Sequence, residues 1–217
     1  MKRLWIVSIL LALLAACAGP STGGTVVTGS GDLVSRSFNL AGFSRIEANS
    51  AAQVKVSRGE AFRVDVEMDD NLEPLLDIAV SGGTLSIKLQ TGSYRNITLR
   101  VQVTMPELTG VTLNGGSTLQ GELAGEDLAL NLNGGSLASL AGTAGRVTIE
   151  ANGGSRALLG DLVAGDVELS LNGGSRVEIN ASGAVHGQAN GASTVTVAGS
   201  PTSVDVKTEG ASRVVTQ

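Results

Sequence analysis

The chain carries a single histidine, His186, set between Glu168 eighteen residues earlier and Asp205 nineteen residues later. If that interval is one structural repeat, the three side chains fall on successive rungs, about 4.8 Å apart when the rungs are β-strands. A carboxylate–imidazole–carboxylate column could hold a divalent metal or serve as a proton-linked switch. The plainer reading is a cross-strand charge ladder that supports a sheet. A second set, Arg156, Arg176 and Arg213, recurs at one point of the same repeat. A basic stripe on an acidic protein could engage an anionic glycan or an acidic protein patch, or simply protect an edge and keep the surface soluble. Glu150 and Glu168 would lie diagonally on neighbouring rungs, roughly 8 Å apart. The plainer reading of the two is a pair of solvated surface charges rather than the carboxylate pair of a glycosidase.

All of these candidates depend on a repeat, and its marker is a tetrapeptide. Asn114-Gly115-Gly116-Ser117 returns as Asn133-Gly134-Gly135-Ser136, Asn152-Gly153-Gly154-Ser155 and Asn172-Gly173-Gly174-Ser175. Decayed copies follow at Asn190-Gly191-Ala192-Ser193 and Glu209-Gly210-Ala211-Ser212, with steps of 19, 19, 20, 18 and 19 residues. A fixed period in this range marks a solenoid in which each repeat is one coil.

With the first residue of each copy as position 0, positions −5, −3 and −1 are apolar. They read Leu128, Leu130, Leu132, then Val147, Ile149, Ala151, then Val167, Leu169, Leu171, while the intervening Asn131, Thr148, Glu150, Glu168 and Ser170 are polar. Positions +5 and +7 repeat the alternation in Val177 and Ile179 and in Val195 and Val197. A period of two means strands with one buried face. Each coil therefore reads as a strand, a bend where glycine supplies positive φ angles, a second strand and a glycine-containing return. Stacking places Asn133, Asn152 and Asn172 in a ladder of side-chain amides along one edge. There they join Arg156, Arg176 and Arg213 as candidate ligand-binding residues. Serine at +3 falls on the inward side, where its hydroxyls are expected to form an internal ladder. The fold expected is all-β, a parallel β-helix with coils of about 19 residues, right-handed because parallel crossovers overwhelmingly are.

Residues 1–16 have the layout of a secretory signal: a basic Met1-Lys2-Arg3, a short apolar run and a small-residue site. The run is too short for a membrane span. Leu14-Ala15-Ala16-Cys17 resembles the bacterial lipobox, so Cys17 is the expected lipidated first residue, with Ala18 behind it pointing to the outer membrane. As the only cysteine it has no disulfide partner within the chain. Loss of Lys2 and Arg3 takes the 15 basic residues to 13 against 20 acidic ones, a net −7. That balance argues against a nucleic-acid partner. Residues 17–34 are rich in Gly, Ser and Thr and read as a flexible tether. The folded domain is expected over 35–217, with irregular coils over 35–108 and regular ones over 109–217. Asn71 is expected to cap one helical turn before Asp77, and Asp69-Asp70-Asn71 to be a solvated turn.

Two stretches carry a family resemblance. Phe43-Ser44-Arg45-Ile46-Glu47-Ala48 leads to Val54-Lys55-Val56 and Arg58-Gly59-Glu60, and Val103-Thr104-Met105-Pro106-Glu107-Leu108 opens into the repeats. Together they resemble the bacterial family called the putative auto-transporter adhesin head, or GIN, domain, over about residues 36–217. The resemblance implies a solenoid of the pectin-lyase type without a known active site, and adhesion as its role.

Pectin-lyase-like solenoids include carbohydrate enzymes, but the signatures of such chemistry are missing here. No aromatic platform follows Tyr94, no phosphate-binding glycine loop opens a helix, and one histidine without a cysteine nucleophile forms no hydrolase set. The reading is a non-enzymatic, lipid-anchored envelope protein without a cofactor, acting as an adhesin or binding module toward a glycan or an envelope protein. A carbohydrate-active enzyme and an envelope-sensing lipoprotein are the alternatives. Arg213-Val214-Val215-Thr216-Gln217 is strand-like with no polar cap, which predicts an end-to-end homodimer or another partner there.

Overall fold

The computed structural model describes residues 26–217; the signal segment and Cys17 lie outside them. The protein is a parallel β-solenoid of about six turns with coils about 19 residues apart. Two sheets flank the row of bends. The leading sheet, before the bend, stacks residues 110–113, 129–132, 148–151, 168–171, 185–189 and 204–208 in parallel register. The trailing sheet, after it, stacks 53–56, 118–121, 137–139, 156–159, 176–181, 194–199 and 213–216.

Register places like above like. Leu130 faces Ile149, which faces Leu169. The alternation then puts Leu128, Leu130, Leu132, Val147, Ile149, Val167 and Leu169 inside, each no more than 2% exposed. Each such side chain contributes about 1.5–3 kcal/mol on leaving water. A single coil has nothing to bury this face against, so stability comes from stacking.

The N-terminal coils are not in chain order. Arg45–Ala48 and Gln53–Arg58 form the coil directly below Gly110–Leu113 and Thr118–Gly121. The strands below that coil come later in the chain: Thr84–Leu89 pairs with Arg45–Ala48, and Leu99–Met105 with Gln53–Arg58, all in parallel. The chain thus steps outward by one coil, then returns past its own first coil through residues 106–109.

Antiparallel strands close this end. Leu76–Ser81 covers Thr84–Leu89, Arg63–Asp69 covers Leu99–Met105, and Leu33–Phe38 covers Arg63–Asp69 in turn. All four ion pairs among the described residues lie here: Arg36–Glu73, Arg63–Asp65, Lys88–Asp77 and Arg100–Glu67. Charged, antiparallel end strands blunt an edge that would otherwise template another chain.

β-structure begins before residue 35. Val26–Thr28 pairs with Ser93–Arg95, and Leu33–Phe38 is a full strand. The connection between them is pinned by the acidic turn, where Asp70 and Asn71 are exposed as expected but Asp69 is buried. Asp69 is 1% exposed, and its carboxylate accepts from the Gly31 N–H at 2.8 Å and the Thr98 N–H at 2.6 Å. Asp70–Leu75 is a short 3-10 helix, and Asn71 does not cap it. Asn71 instead accepts from the Ser30 N–H and donates to the Thr28 carbonyl, holding the incoming chain.

Candidate binding face

The bends position everything that faces outward. In the first three copies both central glycines have positive φ: 61° and 77° at Gly115 and Gly116, 66° and 81° at Gly134 and Gly135, 67° and 86° at Gly153 and Gly154. That is the φ pattern of a type I′ turn. The fourth copy keeps a positive φ at Gly173, 81°, and loses it at Gly174. From there the third position no longer needs glycine, and Ala192 and Ala211 occupy it. The decay of the motif therefore follows a change of turn.

Along the bends the expected amide ladder is present. Each Nδ2 donates to the Oδ1 of the asparagine one coil below: Asn133 to Asn114, Asn152 to Asn133 and Asn172 to Asn152 at 3.0 Å, and Asn190 to Asn172 at 3.2 Å. One member escaped the sequence reading. Asn114 donates to Asn49 at 3.0 Å, and Asn49 donates to the Glu47 carboxylate at 3.3 Å. The amides point one way, so the donor end of the column meets a negative charge.

The serines differ from expectation. Ser117, Ser136, Ser155, Ser175 and Ser193 are buried, but their hydroxyls form no ladder. Each donates to the carbonyl of its own coil's asparagine, three residues back, at 2.7–3.0 Å. A tight bend brings that carbonyl closer than the next serine one strand spacing away.

The trailing sheet's outer surface holds the arginines. Arg156 lies beside Arg176, followed by Thr194 and then Arg213. Lys55, on the coil the sequence reading left unnumbered, projects from the same surface beside Gln120. All four are exposed, and none is in an ion pair among the described residues. Glu178 is the one carboxylate among the outward positions +4 and +6 of this sheet, from Gln53 to Val215. The corresponding positions of the leading sheet carry Glu47, Glu150, Glu168 and Asp205 against Arg45 and Lys207. The two sheets of one acidic protein thus carry opposite net charge at these positions.

Register brings Glu168, His186 and Asp205 into adjacent positions on three successive strands, all exposed. With Glu150, Ser170 and Lys207 they line a shallow, open depression of about 380 Å³. Among the described residues no three His, Cys, Asp or Glu side chains converge as donors to one metal ion. Parallel neighbours project side by side rather than toward a common centre.

The sequence matches the family model described as putative auto-transporter adhesin, head GIN domain, over residues 42–201. No curated protein sequence matches it. Among solved structures, a putative adhesin from Bacteroides fragilis has a TM-score of 0.73 at 19% identity, covering 88% of this chain and 100% of that one. A putative adhesin from Parabacteroides merdae has a TM-score of 0.56 at 15% identity, with 88% and 99% covered. A putative lipid binding protein from Parabacteroides distasonis has a TM-score of 0.54 at 15% identity, with 89% and 100% covered. At these identities the likeness is one of fold.

Proposed function

We propose that this protein, which belongs to the putative auto-transporter adhesin, head GIN domain family, is a lipid-anchored envelope module that binds an anionic glycan through its trailing sheet. The observation that carries this reading is the charge of that surface: Lys55, Arg156, Arg176 and Arg213 against Glu178, on a protein of net charge −5. Exposed guanidinium groups present a planar fork of donors suited to carboxylate or sulfate. A stiff sheet holds them at fixed intervals, with little side-chain ordering left to the moment of binding beyond the arginines themselves. The lipobox-like segment ending at Cys17 would tether this face to the outer membrane. The asparagine edge contributes rigidity in this reading, since its amides are engaged with one another.

The test is binding of the purified protein to an array of carboxylated, sulfated and neutral glycans. A variant with Arg156, Arg176 and Arg213 changed to Ser serves as control. Saturable binding to the anionic glycans is expected, weakened by salt and lost in the variant while its circular dichroism is unchanged. Equal binding to neutral glycans, or full binding by the variant, would sink the reading.

A further inference from the structure

The two ends of the solenoid are finished differently. The first coils are covered by antiparallel, ion-paired strands, whereas nothing among the described residues covers the outer edges of Ser203–Thr208 and Arg213–Thr216. The core is open there as well. Val204 is 36% exposed, while Val185, one coil below at the same position, is 0% exposed. Val206 and Val214 are only partly buried. An edge of this kind presents unpaired N–H and C=O groups beside an apolar floor.

We propose that this coil pairs with the same coil of a second copy of the chain. The pairing is antiparallel, about a two-fold axis normal to the leading sheet, so that Ser203–Thr208 meets its own copy. The argument is one of register. A self-paired strand keeps its apolar side chains on the inner face only if residues of like face stand opposite each other. For Ser203–Thr208 the register centred on Val206 does this. Val206 meets Val206, Val204 meets Thr208, and Asp205 meets Lys207 twice, once on each side of the axis. Centring on Asp205 or on Lys207 would instead oppose like charges, which is destabilising.

The leading edge is therefore self-complementary under one symmetry operation. A two-fold contact of this sort closes and does not propagate into fibres.

Sedimentation velocity over a concentration series tests this directly. The purified protein is expected to dimerise by about 100 µM, above the micromolar constants typical of small interfaces. Asp205→Lys alone and Lys207→Asp alone each turn both cross-strand pairs repulsive, and each should weaken the dimer at least about tenfold. The double exchange Asp205→Lys with Lys207→Asp should restore it, and the two single variants mixed together should form a heterodimer. Both positions are exposed, so folding is not at stake. A parent that stays monomeric at that concentration overturns the proposal. So does a dimer indifferent to all three variants.

Discussion

Asn114 donates to the side chain of Asn49, 65 residues earlier, at the same 3.0 Å that joins Asn133 to Asn114 across 19 residues. Spatial repetition therefore outlasts sequence repetition. The coil at Arg45–Arg58 is a full rung of the solenoid, although Asn49-Ser50-Ala51-Ala52 contains no glycine and a long excursion separates it from the next copy. An interior amide in this column makes two bonds to its neighbours, and the last one makes a single bond. Asn152→Ala should therefore cost about 2 kcal/mol and Asn190→Ala about half of that, at roughly 1 kcal/mol per bond. Urea unfolding of both variants checks the ratio. Equal losses would mean that the column is decoration.

The change of turn makes a second pair of substitutions informative. Gly154 has a φ of 86° and Gly174 is outside the left-handed region, and neither would bring a new Cβ against another atom. Sterics of the neighbourhood are thus equal and only the backbone differs. Gly154→Ala should cost about 1 kcal/mol, and Gly174→Ala should be neutral or stabilise by a few tenths of a kcal/mol. Ala51, at φ 56°, is the reverse case, and Ala51→Gly should not destabilise despite the entropy that glycine loses. Thermal melts of the three variants decide among these.

What could be read from the sequence was what repeats locally. The coil length, the inward set around Leu130 and Ile149, the amide edge and the arginine row all follow from one period and one alternation. Asn49 was hidden because its partner coil is not the next one in the chain. Lys55 was missed with it, since that coil had no motif from which to number positions. Leu33–Phe38 pairs with Arg63–Asp69, a contact set by the cap rather than by any local pattern, and its glycine- and serine-rich approach reads as a tether. For the serine hydroxyls the sequence pattern gives the side of the strand and not the partner, because alternation gives direction and only the bend's closure gives distance.

The clamp on the N-terminal strands rests on one buried carboxylate. Asp69 satisfies the N–H groups of Gly31 and Thr98, and removing it strands two donors at about 1–3 kcal/mol each. Asp69→Ala should therefore lower stability by roughly 2–6 kcal/mol. Its more specific effect should be local. Amide exchange across Val26–Phe38 should accelerate beyond the change seen in the regular coils. Uniform acceleration along the chain would show that Asp69 supports the whole solenoid rather than this strap.

Acid should act on the cap through Asp65. The Ser37 hydroxyl, donating at 2.6 Å, and then the Arg63 guanidinium hold the Asp65 carboxyl below its ordinary value of 3.8. A carboxylate whose pKa is lower folded than unfolded binds its proton more readily in the unfolded chain. Its contribution to stability is thus complete above the ordinary value and is lost as pH falls through the folded one. Ser37→Ala removes the larger cause and should move the Asp65 titration upward, toward the unfolded range. With it the acid-dependent part of the stability of the Leu33–Phe38 and Arg63–Asp69 pairing should shrink: the variant starts less stable above the ordinary value, and its loss on acidification is smaller and ends at higher pH. Carboxyl-detected NMR titration of parent and variant measures the first effect. An unmoved Asp65 curve would leave Arg63, not Ser37, as the group that holds this carboxylate ionised.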